Sequence, residues 1–184
     1  MEPISPNLTP RTVSESKSDM IEIVLPNDAN PLGNLLGGRL MHFIDISGAL
    51  AAHRHARSYV VTASMDHIDF VAPVHVGDML ILKSAVNRAF RTSMECGVKC
   101  YVENYITGTR RHVGTAYLTF VAVDSRGRHL PVPQVIPETA DDKRRYEDAG
   151  RRREHRIAEQ RRKKEAKELR ERQCAVALPQ GTLS

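Results

Sequence analysis

The sequence predicts an α+β domain in which one antiparallel sheet packs against a single long helix. Two observations carry this expectation. From Leu40 to His55, through Phe43, Ile44, Ser47 and Ala51, residues recur at spacings of three and four, the period of a helix with a buried face. From Tyr59 to Val123 come four long stretches rich in β-branched and aromatic residues, with no helical segment between them. Strands that follow one another without crossover helices pair antiparallel, and the one helix must then cover a face of their sheet.

Residues 1–18 are rich in Ser, Pro and Thr and have no period, which predicts a flexible arm. Met20 to Leu25 reads as a short strand closed by Pro26. Asn27 to Gly38 is a loop dense in Asn, Pro and Gly. The helix is expected from Gly38 to His55, apolar almost all round in its first half and therefore central. Long strands follow over Tyr59–Phe70, Met79–Phe90, Ser93–Tyr105 and Arg110–Val123, so the folded domain spans residues 19–126. Residues 127–137 hold three prolines and read as a linker. Residues 138–184 read as a charged helical tail, exposed and interrupted at Gly150. Its apolar Tyr146, Ile157 and Leu169 are too sparse for a coiled-coil seam. One helix, about 10–12 Å across, cannot cover five strands. The pattern therefore predicts a homo-oligomer, with a symmetric dimer as its minimum.

Composition bounds the function. The 184 residues fit one domain with an appendage. No run of about 18 apolar residues suggests a membrane span, and Met1 to Ser18 lack the apolar stretch of a secretory signal. Cys96, Cys100 and Cys174 make no disulfide framework. Cys96 and Cys100 lie about 13 Å apart along one strand face, too far to bridge, so reduced thiols in a cytoplasmic protein are expected. The formal charge is +5. Glu138 to Gln173 hold 14 Lys and Arg against 10 Asp and Glu, so nearly all of the excess lies in the tail. A nucleic-acid partner there is one reading, but a helix of mixed charge is more often merely solvated.

Chemistry concentrates in the run from Asn30 to Asp45. Gly37-Gly38 stands at the mouth of the predicted helix, where backbone N–H groups and the positive helix end suit a developing oxyanion. Asp45 lies about two turns into an apolar helix, where a carboxylate is costly unless paired or exposed at a cleft. Each feature alone has a plain structural reading. Gly-Gly is commonly a turn, Asn30 before Pro31 is an ordinary turn residue, and Asp45 could pair with Arg39 or Arg54.

The combination resembles the hotdog acyl-CoA thioesterases of the cytosolic acyl-CoA hydrolase and YciA type. The resemblance is carried by Asn30-Pro31-Leu32-Gly33-Asn34, Gly37-Gly38, Ile44-Asp45, Val61-Thr62-Ala63-Ser64-Met65-Asp66, Asp69-Phe70-Val71-Ala72-Pro73-Val74, Gly77-Asp78 and Arg91-Thr92-Ser93-Met94-Glu95. It covers about residues 18–125. It implies a hotdog fold and hydrolysis of acyl-CoA to a carboxylic acid and coenzyme A, with no cofactor beyond the coenzyme A of the substrate. Asp45 would be general base or nucleophile, and Asn30 of a neighbouring subunit would work opposite it. The Gly38 N–H would hold the oxyanion beside Gly37. Asp69, Phe70 and Val71 would line the pantetheine channel, and Arg91, Thr92 and Ser93 the nucleotide end. A trimer of dimers is the larger assembly it implies. His42-Phe43 replaces an aromatic such as Trp found in many relatives, and Ile46-Ser47-Gly48 replaces an acidic residue or Gly after the Asp, which bears on the acyl pocket.

Other chemistries find little support. No HExxH or CxxC pattern is present, so no metal site is expected. No Gly-x-Ser-x-Gly elbow suggests a serine hydrolase. Dehydratase chemistry would need a His where Asn30 stands. A non-catalytic acyl-CoA-binding scaffold with a tail on nucleic acid is the remaining alternative.

Overall fold

The computed structural model describes residues 7–176, without the side chains at 67, 169 and 171–176. The long strands are β2 (Ser18–Ile23), β3 (Tyr59–Phe70), β4 (Met79–Ala89), β5 (Ser93–Glu103) and β6 (Arg110–Val123). They form one sheet in the order β2–β4–β5–β6–β3, with every neighbouring pair antiparallel. The predicted α+β hotdog architecture is therefore observed, with helix α2 (Gly37–Ala56) inside the curl of the sheet. Period-two alternation selects the core face. In β5 the even residues Met94, Cys96, Val98 and Cys100 are buried, while Gly97, Lys99 and Tyr101 turn to the other face. Leu82 and Cys100 pair across β4 and β5, and Cys96 and Leu118 across β5 and β6, so one apolar layer meets the helix. Burial keeps the two thiols protonated, pushing Cys100 up to about 12 and Cys96 higher still.

The helix is seated by small residues. Ser47, Gly48, Ala51 and Ala52 are buried on its sheet side. A Cβ built at Gly48 would lie 3.0 Å from Phe120 Cε2, so the helix backbone itself rests on that ring. The opposite side stays bare. Met41, Ile46 and Leu50 on α2 are exposed, as are Tyr59 and Val61 on β3, an edge strand of the sheet. The helix ends where Arg57 takes a left-handed φ of 53° and returns its N–H to His53 O at 2.9 Å.

Three expectations differ from what is seen. Residues 11–18 are not a loose arm. β1 (Arg11–Thr12) pairs in parallel with β7 (Val135–Ile136), and α1 (Val13–Ser16) buries Val13 and Ser16. The Arg11 guanidinium donates to the Arg54 and His55 carbonyls, satisfying the open end of α2. The Ser16 hydroxyl accepts the Val86 N–H at 3.0 Å. Residues 1–6 lie outside the described residues. The proline-rich stretch 127–137 is likewise no free linker, since Val132 and Val135 are buried in the core. Neither segment has a period because each packs as a strap, through a few long-range contacts. In the tail, α3 (Ala140–Val176) runs through Gly150 unbroken. The chain divides into two units, the second beginning at Glu147. In the first, Arg88 lies 4.4 Å over the Tyr146 ring. In the second, exposed helix carries ion pairs such as Lys163–Glu159 at 2.7 Å.

His55, fully buried in the last turn of α2, donates from Nε2 to Pro133 O at 2.9 Å. Burial holds its pKa below the ordinary 6.5 and nearby Arg11 adds to this, against the Pro133 hydrogen bond and Glu15. A base whose pKa is lower in the folded state takes up protons on unfolding. Stability should therefore be complete above pH 6.5 and fall as pH drops below it. Thermal melts between pH 7.5 and 5 should show a steeper acid-side loss for wild type than for His55→Gln. Gly48→Ala should overpack the Phe120 seat and destabilise by about 1–3 kcal/mol in denaturant melts. An unchanged midpoint would mean that the helix can shift away from the ring.

Candidate functional site

The site is built from the loop before α2, the first turns of the helix and the facing strand. The loop begins with a 3-10 turn, Pro26–Asp28, and is tied at several points. Asp28 is buried, and its Oδ1 accepts from Arg39 Nε at 2.7 Å. Its backbone carbonyl accepts the Leu36 N–H at 2.9 Å. The Arg39 guanidinium also lies 4.7 Å over the Phe43 ring. Arg39 is thus committed to Asp28, and Arg54 donates to Lys17 O, so neither is the partner of Asp45. Sequence reasoning missed the Asp28–Arg39 pair because the two belong to different elements and no spacing rule joins them.

Asn30 shapes the loop tip. Its Oδ1 accepts the N–H groups of Leu32 at 2.9 Å and Asn34 at 3.1 Å. Its own N–H donates to Asn34 O at 2.8 Å. With Oδ1 so committed, the Nδ2 amine is its remaining donor. Gly33 has a φ of 75°, which closes the turn, and its carbonyl accepts from Val76 N at 3.0 Å.

At the helix mouth Leu36 is the N-cap, and its carbonyl takes the N–H groups of Arg39 and Leu40. The Gly37 and Gly38 N–H groups precede the first intrahelical bonds and are open at the positive end of α2. A Cβ at Gly38 would meet nothing within 4 Å, so the chain's own packing does not require glycine there.

Asp45, half-buried on the bare side of α2, accepts a 2.7 Å hydrogen bond at Oδ1 from the Thr62 hydroxyl. Thr62 pairs with Phe120, so it projects from the core-facing side of β3. Its importance was not drawn from the sequence. The available signal was a hydroxyl residue in the apolar phase of a strand. Among the described residues no side-chain hydrogen bond joins Asn30 to Asp45. The hydrogen bonds of Asn30 and Asp45 run to other partners. Gly38 stands seven residues before Asp45, about 10.5 Å along the axis at ~1.5 Å per residue, with its N–H pointing away from the helix body.

The expected binding residues fall into two groups. A methyl at Gly37 would sit 3.8 Å from Phe70 Cε2, so Phe70 stands at the helix mouth. Asp69 is paired with Thr115 and, by alternation, faces away from Phe70. The Val71 N–H is bonded to Val113 O at 3.0 Å. Arg91, Thr92 and Ser93 form the β4–β5 turn, where the Thr92 carbonyl accepts from Ala122 N. Ser93 pairs with Val121 and Phe70 with Gly114, which puts the two groups about 23 Å apart along β6. Among the described residues no three His, Cys, Asp or Glu side chains gather as a metal site. Nor is any helix long and apolar enough to cross a membrane.

The thioesterase superfamily model matches residues 32–107, which hold the helix mouth, Asp45 and Thr62. An uncharacterized acyl-CoA thioester hydrolase of Bacillus subtilis is 43% identical over 73% of this chain and 79% of its own. The chain belongs to the thioesterase superfamily. The human cytosolic acyl coenzyme A thioester hydrolase is 33% identical over 77% of this thioesterase chain, which spans only 38% of that longer protein. Among solved structures, the acyl-CoA hydrolase of Staphylococcus aureus, in complex with butyryl coenzyme A, superposes with a TM-score of 0.80. It is 36% identical over 86% of this chain and 97% of its own. That enzyme is also known as three variants, in which an Asp, an Asn and a Thr are each replaced by Ala. A hexameric acyl-CoA thioesterase, 43% identical over 82% of this chain and 97% of its own, superposes with a TM-score of 0.79.

The Asp28–Arg39 pair ties the loop to the first turn of α2. Asp28→Ala would leave Arg39 without its buried partner and loosen the loop. Limited proteolysis should then cut between residues 26 and 36 faster than in wild type, with an unchanged rate arguing that the other backbone ties suffice.

Proposed function

We propose that this chain hydrolyses acyl-CoA thioesters, with Asp45 as general base on water. The observation that carries the reading is the Thr62–Asp45 hydrogen bond on the bare side of the central helix, in a chain of the thioesterase superfamily. The Thr62 hydroxyl holds Oδ1 and so orients the carboxylate, and the second oxygen, Oδ2, is left to take a proton. Water attacks the thioester carbonyl as Asp45 accepts its proton. The carbonyl oxygen becomes an oxyanion held by the Gly38 N–H at the helix mouth, beside Gly37. Collapse breaks the C–S bond. The carboxylic acid and the coenzyme A thiolate leave, and the thiolate takes up a proton from Asp45 or solvent. Water is the only co-reactant, and the coenzyme A of the substrate is the only coenzyme.

The reading requires two subunits. A carbonyl carbon bound at Gly38 lies at the helix end, about two turns from the backbone of Asp45 in the same chain. Direct or water-mediated attack spans less than this. Asn30 and Gly38 of one subunit therefore face Asp45 of another, and the Asn30 Nδ2 amine orients the attacking water. The bare side of α2 and the β3 edge supply the dimer surface, which buries Met41, Ile46 and Leu50. Hexameric relatives make a trimer of dimers the assembly to look for. Arg91, Thr92 and Ser93 take the phosphorylated nucleotide end, while Asp69 and Val71 lie along the path of the pantetheine arm. The Asn, Asp and Thr altered in the Staphylococcus enzyme are separated along its chain by the same intervals as Asn30, Asp45 and Thr62, which supports this choice of residues.

Asp45→Ala should abolish release of free thiol from butyryl-CoA, followed with a thiol reagent, and leave the oligomer intact in size-exclusion chromatography. Wild-type turnover in that variant would sink the mechanism. Thr62→Val, which keeps the shape and removes the donor, should lower kcat by roughly 10–100-fold, the value of a hydrogen bond to a charged group. Gly38→Ala separates function from folding. Alanine suits a helix interior better than glycine by up to about 1 kcal/mol, so its melting temperature should hold or rise. Its kcat/KM should nevertheless fall at least tenfold, because the methyl occupies the space where the thioester approaches.

A further inference from the structure

We infer that Asp28 is a positioning residue for hydrolysis, fixing Asn30 and the Gly37-Gly38 amides in one arrangement, and that Arg39 shields the developing oxyanion from its charge. The inference rests on the acyl-CoA reading above and adds to it a residue that acts through other groups.

Asp28 grips the chain on both sides of the two glycines. Its backbone carbonyl accepts the N–H of Leu36, the residue before Gly37, at 2.9 Å. Its Oδ1 accepts from Nε of Arg39, the residue after Gly38, at 2.7 Å. The glycine N–H groups are therefore held between two bonds to one residue. Asp28 also closes the loop that carries Asn30. Ala29 and Leu35 form an antiparallel bridge and the Asn30 N–H donates to Asn34 O, so residues 28–30 lie against 34–36. Asn30 stands at one end of this short ladder and the helix mouth at the other. The place of Asp28 is set in turn by Leu25, whose N–H donates to Oδ2 at 3.4 Å and whose carbonyl accepts the Asp28 N–H at 2.9 Å. All of these bonds lie within one chain, on the subunit that the reading above makes the donor of Asn30 and Gly38.

A buried ion pair contributes little stability by itself, since taking two charges from water offsets most of their attraction. What this pair fixes is geometry. Donors set to meet a charge that forms only in the transition state lose much of their effect when misaligned. Charge matters as well. An anion beside the start of a helix competes for the positive end that suits an oxyanion. The Asp28 carboxylate is buried there, and the Arg39 guanidinium neutralises it. Arg39 is itself steadied over the Phe43 ring at 4.7 Å.

The test follows kcat and KM for the best substrate in a panel of acyl-CoA esters of graded chain length. It also follows the binding of free coenzyme A, which has no thioester carbonyl. The stoichiometry of that binding, by calorimetry, counts competent sites, and kcat is expressed per site. Asp28→Ala should lower kcat and kcat/KM equally, by about tenfold or more, and leave KM and the coenzyme A Kd in place. Asp28→Asn keeps an acceptor for Arg39 and should restore kcat to within about threefold of wild type. Arg39→Met leaves the carboxylate unpaired beside the helix mouth and should be the slowest variant. Adding Asp28→Asn to it removes that charge and should raise kcat by about threefold or more over Arg39→Met alone. Should Asp28→Ala fail to fold, the comparison of Arg39→Met with the double variant decides. An unchanged kcat per site in Asp28→Ala would overturn the inference. So would a loss carried by KM and by weaker coenzyme A binding, which would put the pair on the substrate itself. A double variant no faster than Arg39→Met would overturn the part assigned to Arg39. If wild type hydrolyses no ester in the panel, the acyl-CoA reading fails and takes this inference with it, an outcome distinct from an active enzyme indifferent to Asp28.

Discussion

The close seat of α2 on the sheet governs the rest of the molecule. Small residues on one side of the helix let its backbone approach Phe120 at Gly48, and that approach brings the Asp45 carboxylate within hydrogen-bond reach of Thr62 on β3. A bulkier seat would lift the helix and separate the acid from its donor. The same seat uses only one side of the helix. The other keeps its apolar side chains and the acid toward the surface.

Both ends of the helix are held by residues far away in sequence. At its start Arg39 is bound to Asp28, and at its end the last carbonyls are taken by Arg11. The loop carrying Asn30 is tied in turn to the turn after β3, through Val76 and Val74. Asn30, the helix mouth and Asp45 are therefore presented on a frame whose parts fix one another. Such preorganisation suits a site in which donors must already point at charge that develops only in the transition state.

The regular elements were legible in the sequence because their signals are local. The helix period from Leu40 to His55 and the alternation through β3 to β6 located five of the main elements to within a few residues. The straps were not legible. Arg11 to Ser16 and Val132 to Ile136 contribute single buried side chains and isolated hydrogen bonds, which leave no period. The same division runs through the site. Asn30, Gly37, Gly38 and Asp45 stand in one contiguous run that invited attention. Thr62 acts from another strand, and Asp28 acts through an ion pair across the loop, so both became visible only once the chain was folded.

The long β3 edge also has a bearing on the life of the chain before assembly. Its twelve residues carry unpaired backbone groups along one side, flanked by exposed Tyr59, Val61 and Phe70. A lone subunit with such a margin is a template for adding strands from any neighbour, including misfolded ones. Register shifts between Thr62 and Ser64, and again between Met65 and His67, interrupt the straight run and blunt that tendency. In the proposed dimer, pairing along this margin would compete with such additions, and both depend on chain concentration.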